Sequence, residues 1–355
     1  MKNYSGIESL FDFDDLLIEP AHISDISSRK EVKPHYSNGY LPLMTAPMDT
    51  VIGIENWNTY KRCGIFPVLP RNIEKEFLKD VCYSYSNFFS YGLENFNDIF
   101  IKNTIEVSEN NKIYALIDIA NGHMKSLYNL AKEAKEKYGD KMVLMVGNIA
   151  NPKTFLEYCD IGVDFLRIGI GNGNGCLTTV QTGVGYPMAS LIEECYDVKK
   201  YMDFPQVKIV ADGGFKKYSD IIKGLALGAD YIMLGSILNK SLESSGETTD
   251  EKGVIINQFT EDAKRMFEVD VPLYKNFRGM STKEVQLEWG KSQLKTSEGV
   301  TRINKVEYTL EGWTNNFESY LRSAMSYTGK KDITEFIGNV KLNFITENSF
   351  RRFDK

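Results

Sequence analysis

Eight short apolar runs recur along the chain, each closed by turn residues: LPLMTA (41–46), IFPVL (65–69), NFFSY (87–91), YALIDIA (114–120), MVLMVG (142–147), DFLRIGI (164–170), VKIVAD (207–212) and YIMLG (231–235). Runs that stay apolar instead of alternating are buried on both faces, as parallel strands covered by helices are. Helical patterns lie between them. MKSLYNLAKEAKEKYG (124–139) sets Leu127, Leu130, Ala131 and Ala134 on one face, and SDIIKGLALG (219–228) has Ser219 as a candidate N-cap and Gly228 as its stop. Eight strand-helix units predict a (β/α)8 TIM barrel in preference to a six-stranded doubly wound sheet. The chain reads as one catalytic domain, 1–355, with a barrel core over 40–240 and a polar, turn-rich excursion with a mobile flap over 241–300. A closing segment, 301–355, contains a helix near 315–329.

A barrel of this kind places its active site where strands end and the following loops begin. Polar and small residues stand at those points: Asp49, Asp118 and Asn121, Gly147 and Asn148, the glycine-rich stretch 169–187, Asp212-Gly213-Gly214, and Gly235-Ser236. The composition supports a small-molecule site. Net charge is −6 and the two signs are interspersed, which argues against nucleic acid or an anionic membrane as partner. The five cysteines are scattered without a CxxC pair, so neither a disulfide framework nor a zinc site is expected, and a reducing cytoplasm is. The N-terminal MKNYSGIESLFDFDDLL lacks a signal-peptide apolar core, and no run approaches bilayer length.

The stretch GIGNGNGCLTTVQTGVGYP (169–187) is not a dinucleotide fingerprint. Asn174 and Cys176 stand where the third glycine belongs, and Gly183 and Pro187 preclude the long helix that should follow. Its glycines instead let backbone groups converge, which suits a phosphate nest or a monovalent cation held by the carbonyls of Gly171, Gly173 and Cys176. Cys176, in a polar loop at the catalytic end of a strand with Thr178 and Thr179 beside it, reads as a nucleophile. Of the three histidines, only His123 follows a barrel strand, so a papain-like pairing is not expected. Glycines after the last two strands suit a phosphate held by loop amides, and Asp212 suits ribose hydroxyls. Together they favour a nucleoside monophosphate.

These motifs occur in a familiar order. FDFDDLLIEP (11–20), APMDTV (46–51), DIANGH (118–123), GIGNGNGCLTT and TGVGYP (169–187), ADGG (211–214), GADYIMLGS (228–236), FRGMS (277–281), SEG (297–299) and RSAMSYTG (322–329) together resemble the IMP dehydrogenase/GMP reductase family along nearly the whole chain. The resemblance implies a usually tetrameric barrel, a cysteine bonded covalently to purine C2, and a nicotinamide cofactor that exchanges hydride there. It implies Cys176 as nucleophile, and a substrate site of Met48, Asn174, Asp212, Gly213, Gly214, Gly235, Ser236, Gly279, Met280 and Ser281. It also implies a cofactor face of Asp118, Asn121, Gly122, Asn148, Gly169 and Gly171, and a potassium site at the carbonyls of Gly171, Gly173 and Cys176.

Within the family, 281–297 contains neither the Arg nor the Tyr that dehydrogenases use to activate water, and no regulatory domain pair follows the second strand. Thr178 and Glu298 match the reductase residues that handle departing ammonia. The resemblance therefore implies an NADPH-dependent GMP reductase, with an NAD-dependent IMP dehydrogenase as the alternative and a catalytically silent purine-nucleotide-binding protein as a third reading. Several positions depart from the pattern: Asn174 where a phosphate-binding serine is usual, then Gly175, Leu177 after the cysteine, Thr179, and Arg71 where a lysine is typical.

Overall fold

After a short strand β1 (Leu16–Ile18), the eight apolar runs form the strands β2 (Leu43–Thr45), β3 (Val68–Leu69), β4 (Phe88–Tyr91), β5 (Ile113–Asp118), β6 (Met142–Ile149), β7 (Phe165–Ile168), β8 (Lys208–Asp212) and β9 (Tyr231–Leu234). The computed structural model describes residues 9–71, 87–103, 111–280 and 299–353, with the single positions 73, 105, 107, 282 and 285. All neighbours in the order β2-β9-β8-β7-β6-β5-β4-β3 are parallel. A bridge between Met44 and Phe66 joins the two ends, with Thr45 N donating to Phe66 O at 3.1 Å. The result is the expected (β/α)8 barrel.

Period-two alternation sorts the strand residues between two cores. Met44, Phe66, Val68, Phe88, Leu116, Met145, Val210, Tyr231 and Met233 fill the barrel interior. Leu43, Phe89, Ile117, Leu144, Leu166, Ile209 and Ile232 face the helices. The lower interior is aromatic: Tyr40 stacks on Phe66 at 4.8 Å, and Phe88 meets Phe165 at 5.1 Å. Two residues above Leu116, Phe165 and Val210, the inward positions are Asp118, Arg167 and Asp212. The top layer of this barrel is therefore ionic.

The helix over 124–139 is found at Lys125–Tyr138 with the four expected residues buried. The helix Tyr218–Leu227 does stop at Gly228, but Lys217, and not Ser219, is its N-cap, because Asp220 Oδ2 takes the backbone N–H groups of Lys216 and Lys217. The closing helix runs Leu310–Tyr327.

The excursion departs most from expectation. Where the sequence shows no period, a four-stranded antiparallel sheet forms from β10 (Thr248–Asp250), β11 (Ile255–Ile256), β12 (Leu273–Arg278) and β13 (Thr301–Lys305), in the order β11-β10-β12-β13. Its small core is Leu242, Leu273 and Val306, and much of its cohesion is polar. Asn239 Nδ2 donates to the carbonyls of Thr50 and Asn276, and the buried Lys275 ammonium donates to Ser244 O at 2.6 Å. Strands held by such contacts need no apolar alternation. A final strand β14 (Leu342–Phe344) pairs antiparallel with β1. Among the described residues no helix is long and apolar enough to cross a membrane.

Candidate active site

The cysteine loop, β7 to the helix Met188–Tyr201, is built by glycine. Cys176 N–H donates to Gly173 O at 3.0 Å, and its half-buried thiol lies 3.2 Å from Thr178 Oγ1 at the start of the five-residue helix Thr178–Thr182. Gly183, at φ +71°, ends that helix, so the long helix of a dinucleotide turn is indeed absent here. Gly171 has φ +81°, and a Cβ there would collide with Thr179 Oγ1. The Thr179 hydroxyl is engaged within the loop, donating to Val184 O at 2.8 Å.

The excursion sheet docks on this loop from above. Val300 N donates to Gly175 O, Gly279 N donates to Val300 O, and Gly299 bridges Cys176. Phe277 would stand only 3.0 Å from a Cβ at Gly175, which explains a glycine there. Arg278 is paired with Asp49, fixing the end of β12 to the loop after β2. Ser281 and Glu298 lie outside the described residues; Met280 is the last described position of that continuous stretch.

At the same end of the barrel, an ionic layer joins five strand ends. Arg167, 8% exposed, donates through one guanidinium nitrogen to Asp118 Oδ1 at 2.7 Å and through Nε to Asp212 Oδ2 at 3.0 Å. Arg71 Nε reaches Asp118 Oδ2 at 3.1 Å, and Asn148 Nδ2 donates to both Asp212 Oδ2, at 2.8 Å, and Gly169 O. Burial pushes the Asp118 carboxyl up, but the Arg71 and Arg167 guanidiniums outweigh it and hold it below the usual value. Gly147 makes room for this layer, since a Cβ there would press on Arg167. Asp212 uses only Oδ2 in these bonds. Its Oδ1 accepts nothing among the described residues and is available to a ligand hydroxyl.

The remaining predicted residues ring the same mouth. Gly213, at φ +88°, packs its backbone against Gly173, and Gly214 follows at φ +90° beside Asn172. Gly235 caps the short helix Ser236–Asn239, with Met48 Sδ over it. Asn174 accepts a hydrogen bond from Arg302 at 2.8 Å. On the far side Gly122 backs onto Asn148 O, Asn121 Oδ1 accepts from His123 N, and His123 Nδ1 lies 3.0 Å from Thr154 Oγ1. Among the described residues no cluster of His, Cys, Asp and Glu is arranged to hold a metal ion.

Sequence reasoning overlooked Arg167 and Arg302. The signal for Arg167 was present, because a charge inside an otherwise apolar barrel strand must find partners. Arg302 gave none.

A barrel with a cysteine loop, an ionic strand-end layer and a docked excursion defines a class that comparison with known proteins identifies. The model of the IMP dehydrogenase / GMP reductase domain matches residues 103–353. The GMP reductase of Buchnera aphidicola subsp. Acyrthosiphon pisum is 28% identical over 352 residues, 94% of each chain. That of Streptococcus gordonii is 27% identical over 334 residues, 91% of this chain and 92% of its own. The inosine-5'-monophosphate dehydrogenase of Chlorobaculum tepidum is 31% identical over 239 residues, 66% of this chain and 46% of its own. The chain belongs to the IMP dehydrogenase/GMP reductase family, as an oxidoreductase acting on purine nucleotides.

Proposed function

We propose that the protein is a GMP reductase, converting GMP to IMP and ammonia with NADPH. The observation that carries this reading is the Cys176–Thr178 pair at 3.2 Å, with Gly299, the neighbour of Glu298, bridged to the same cysteine. The Cys176 thiolate adds to purine C2, and a carbon–sulfur bond forms. The 2-amino group is a poor leaving group until protonated; Thr178 and Glu298 relay that proton, and ammonia departs. A positioned acid contributes about 10²–10⁴-fold to such a step.

Other residues bind and orient. Asp212 Oδ1 takes a ribose hydroxyl, the backbone at Gly213, Gly214, Gly235 and Ser236 takes the phosphate, and Met48, Gly279, Met280 and Ser281 flank the base. Asp118, Asn121, Gly122, Asn148, Gly169 and Gly171 face the nicotinamide in this reading. NADPH, when bound, supplies the hydride that C2 takes up as the Cys176 thiolate leaves. Gly173 O keeps one lone pair beyond its bond to Cys176 N, so with the carbonyls of Gly171 and Cys176 it suits a potassium ion. A homotetramer in the cytoplasm completes the reading.

Chromatography of a reaction of GMP with NADPH tests it: IMP and ammonia should form in equal amounts, and Cys176→Ala should give neither. Glu298→Gln should block ammonia release. Release at the wild-type rate by that variant would remove Glu298 from the mechanism. The 31% identity to an IMP dehydrogenase supports the second reading, oxidation of IMP with NAD; NADH formed from IMP, with GMP and NADPH inert, would select it.

A further inference from the structure

Arg302 lies on β13 directly opposite Phe277 of β12. Facing residues of an antiparallel pair project to the same side of the sheet. Phe277 is 2% exposed and presses on Gly175, so Arg302 projects toward the cysteine loop too. There one guanidinium nitrogen donates to Asn174 Oδ1 at 2.8 Å, and Arg302 has no carboxylate within ion-pair distance among the described residues.

Asn174 adjoins Gly173, whose backbone packs against Gly213 of the DGG turn. The groups proposed above for the phosphate, the backbone at Gly213, Gly214, Gly235 and Ser236, are uncharged, whereas a phosphate monoester carries a charge of about −1.5 to −2. An asparagine amide is an ambiguous neighbour for such an anion, because it offers an acceptor oxygen as well as two donors. The Arg302 bond engages that oxygen, and leaves the two N–H donors of Asn174 and the remaining donors of Arg302 for the ligand. We propose that Arg302, acting with Asn174, recognises the 5'-phosphate of the purine nucleotide. This rests on the nucleotide reading of the site above and extends it to a residue that reaches the loop only from the excursion sheet.

The test is equilibrium binding of GMP, IMP and guanosine to wild type, Arg302→Met and Arg302→Lys, followed by steady-state kinetics. Wild type should bind the monophosphates far more tightly than guanosine. Loss of a charged hydrogen-bond donor should weaken GMP and IMP by about 10- to 100-fold in Arg302→Met while leaving guanosine within about twofold, with Arg302→Lys between. The change should fall on KM more than on kcat. In an Asn174→Ser background, which has no amide oxygen to engage, the residual effect of Arg302→Met isolates the direct charge contribution. An unchanged preference for monophosphate in Arg302→Met overturns the inference while the nucleotide reading stands. Wild type that binds no purine monophosphate overturns both.

Discussion

Replacing Arg167 by methionine removes the buried cation that stands between two largely buried carboxylates. In the wild type the charges along the layer alternate, Arg71, Asp118, Arg167, Asp212, and cancel. Without Arg167, Asp118 keeps the Arg71 guanidinium, and Asp212 keeps only the Asn148 amide. Breaking a buried ion pair by removing one partner costs about 3–5 kcal/mol, because a desolvated charge is left behind. With an unfolding entropy of about 2.1 cal/mol/K per residue, a chain of 355 residues loses about 0.7 kcal/mol per degree, so Tm should fall by about 4–7 °C. The deficit should also depend on pH. The wild-type Asp118 pKa is lowered, so its stabilisation is present above the ordinary carboxylate range and is lost as pH falls through the folded value. In the variant Asp118 loses one of the two guanidiniums that hold its carboxyl down, so the gap between the two proteins should narrow toward acid pH. Adding Asp212→Asn should recover a large part of the loss. Differential scanning calorimetry of the four proteins of this cycle across pH reads all three effects. A single variant melting within about 1 °C of wild type at neutral pH, with no change in the gap toward acid, refutes the reasoning.

Lys275 is fully buried, and desolvation, only partly offset by Glu243, pushes its pKa down to about 7. The unfolded chain therefore holds the proton in a range where the folded one has released it, so this group makes stability rise between about pH 7 and pH 10. Lys275→Met should abolish that rise in urea unfolding; a wild-type-minus-variant difference that is flat with pH contradicts it. Gly213→Ala puts a Cβ 2.7 Å from Gly173 N at a φ of +88°, and the loops must part. Its kcat/KM should drop at least about tenfold with near-native circular dichroism, and wild-type kinetics would show that this packing is dispensable. Among the four described thiols, Cys159 and Cys195 are buried, and burial pushes Cys63 up to about 11. Iodoacetamide should therefore modify Cys176 first among them by peptide mapping, with protection by GMP; faster labelling of Cys63 would contradict the reading.

The barrel was legible because its eight strands are doubly buried, and continuous apolar runs need no knowledge of their neighbours. The site loops were legible because glycine marks close backbone approach, as at Gly171 and Gly213. What the chain hid was long-range and polar. Arg302 meets Asn174 across 128 positions, and the β10–β13 sheet depends on Asn239 and Lys275 bonding to distant carbonyls. No local period records such contacts. The Lys217 cap was hidden for a related reason: the capping carboxylate, Asp220, sits inside the helix and reaches back. Arg167 lies between these cases, visible as a charge in an apolar run but with partners that only the closed barrel brings together.

Absorbance at the nicotinamide band, followed with purified protein, GMP and NADPH beside IMP and NAD and with Cys176→Ala as control, tests the central claim most directly. The account predicts loss of NADPH absorbance that requires both GMP and Cys176. NADPH consumed equally by the Cys176→Ala variant, or no consumption with GMP under any cation, would contradict it.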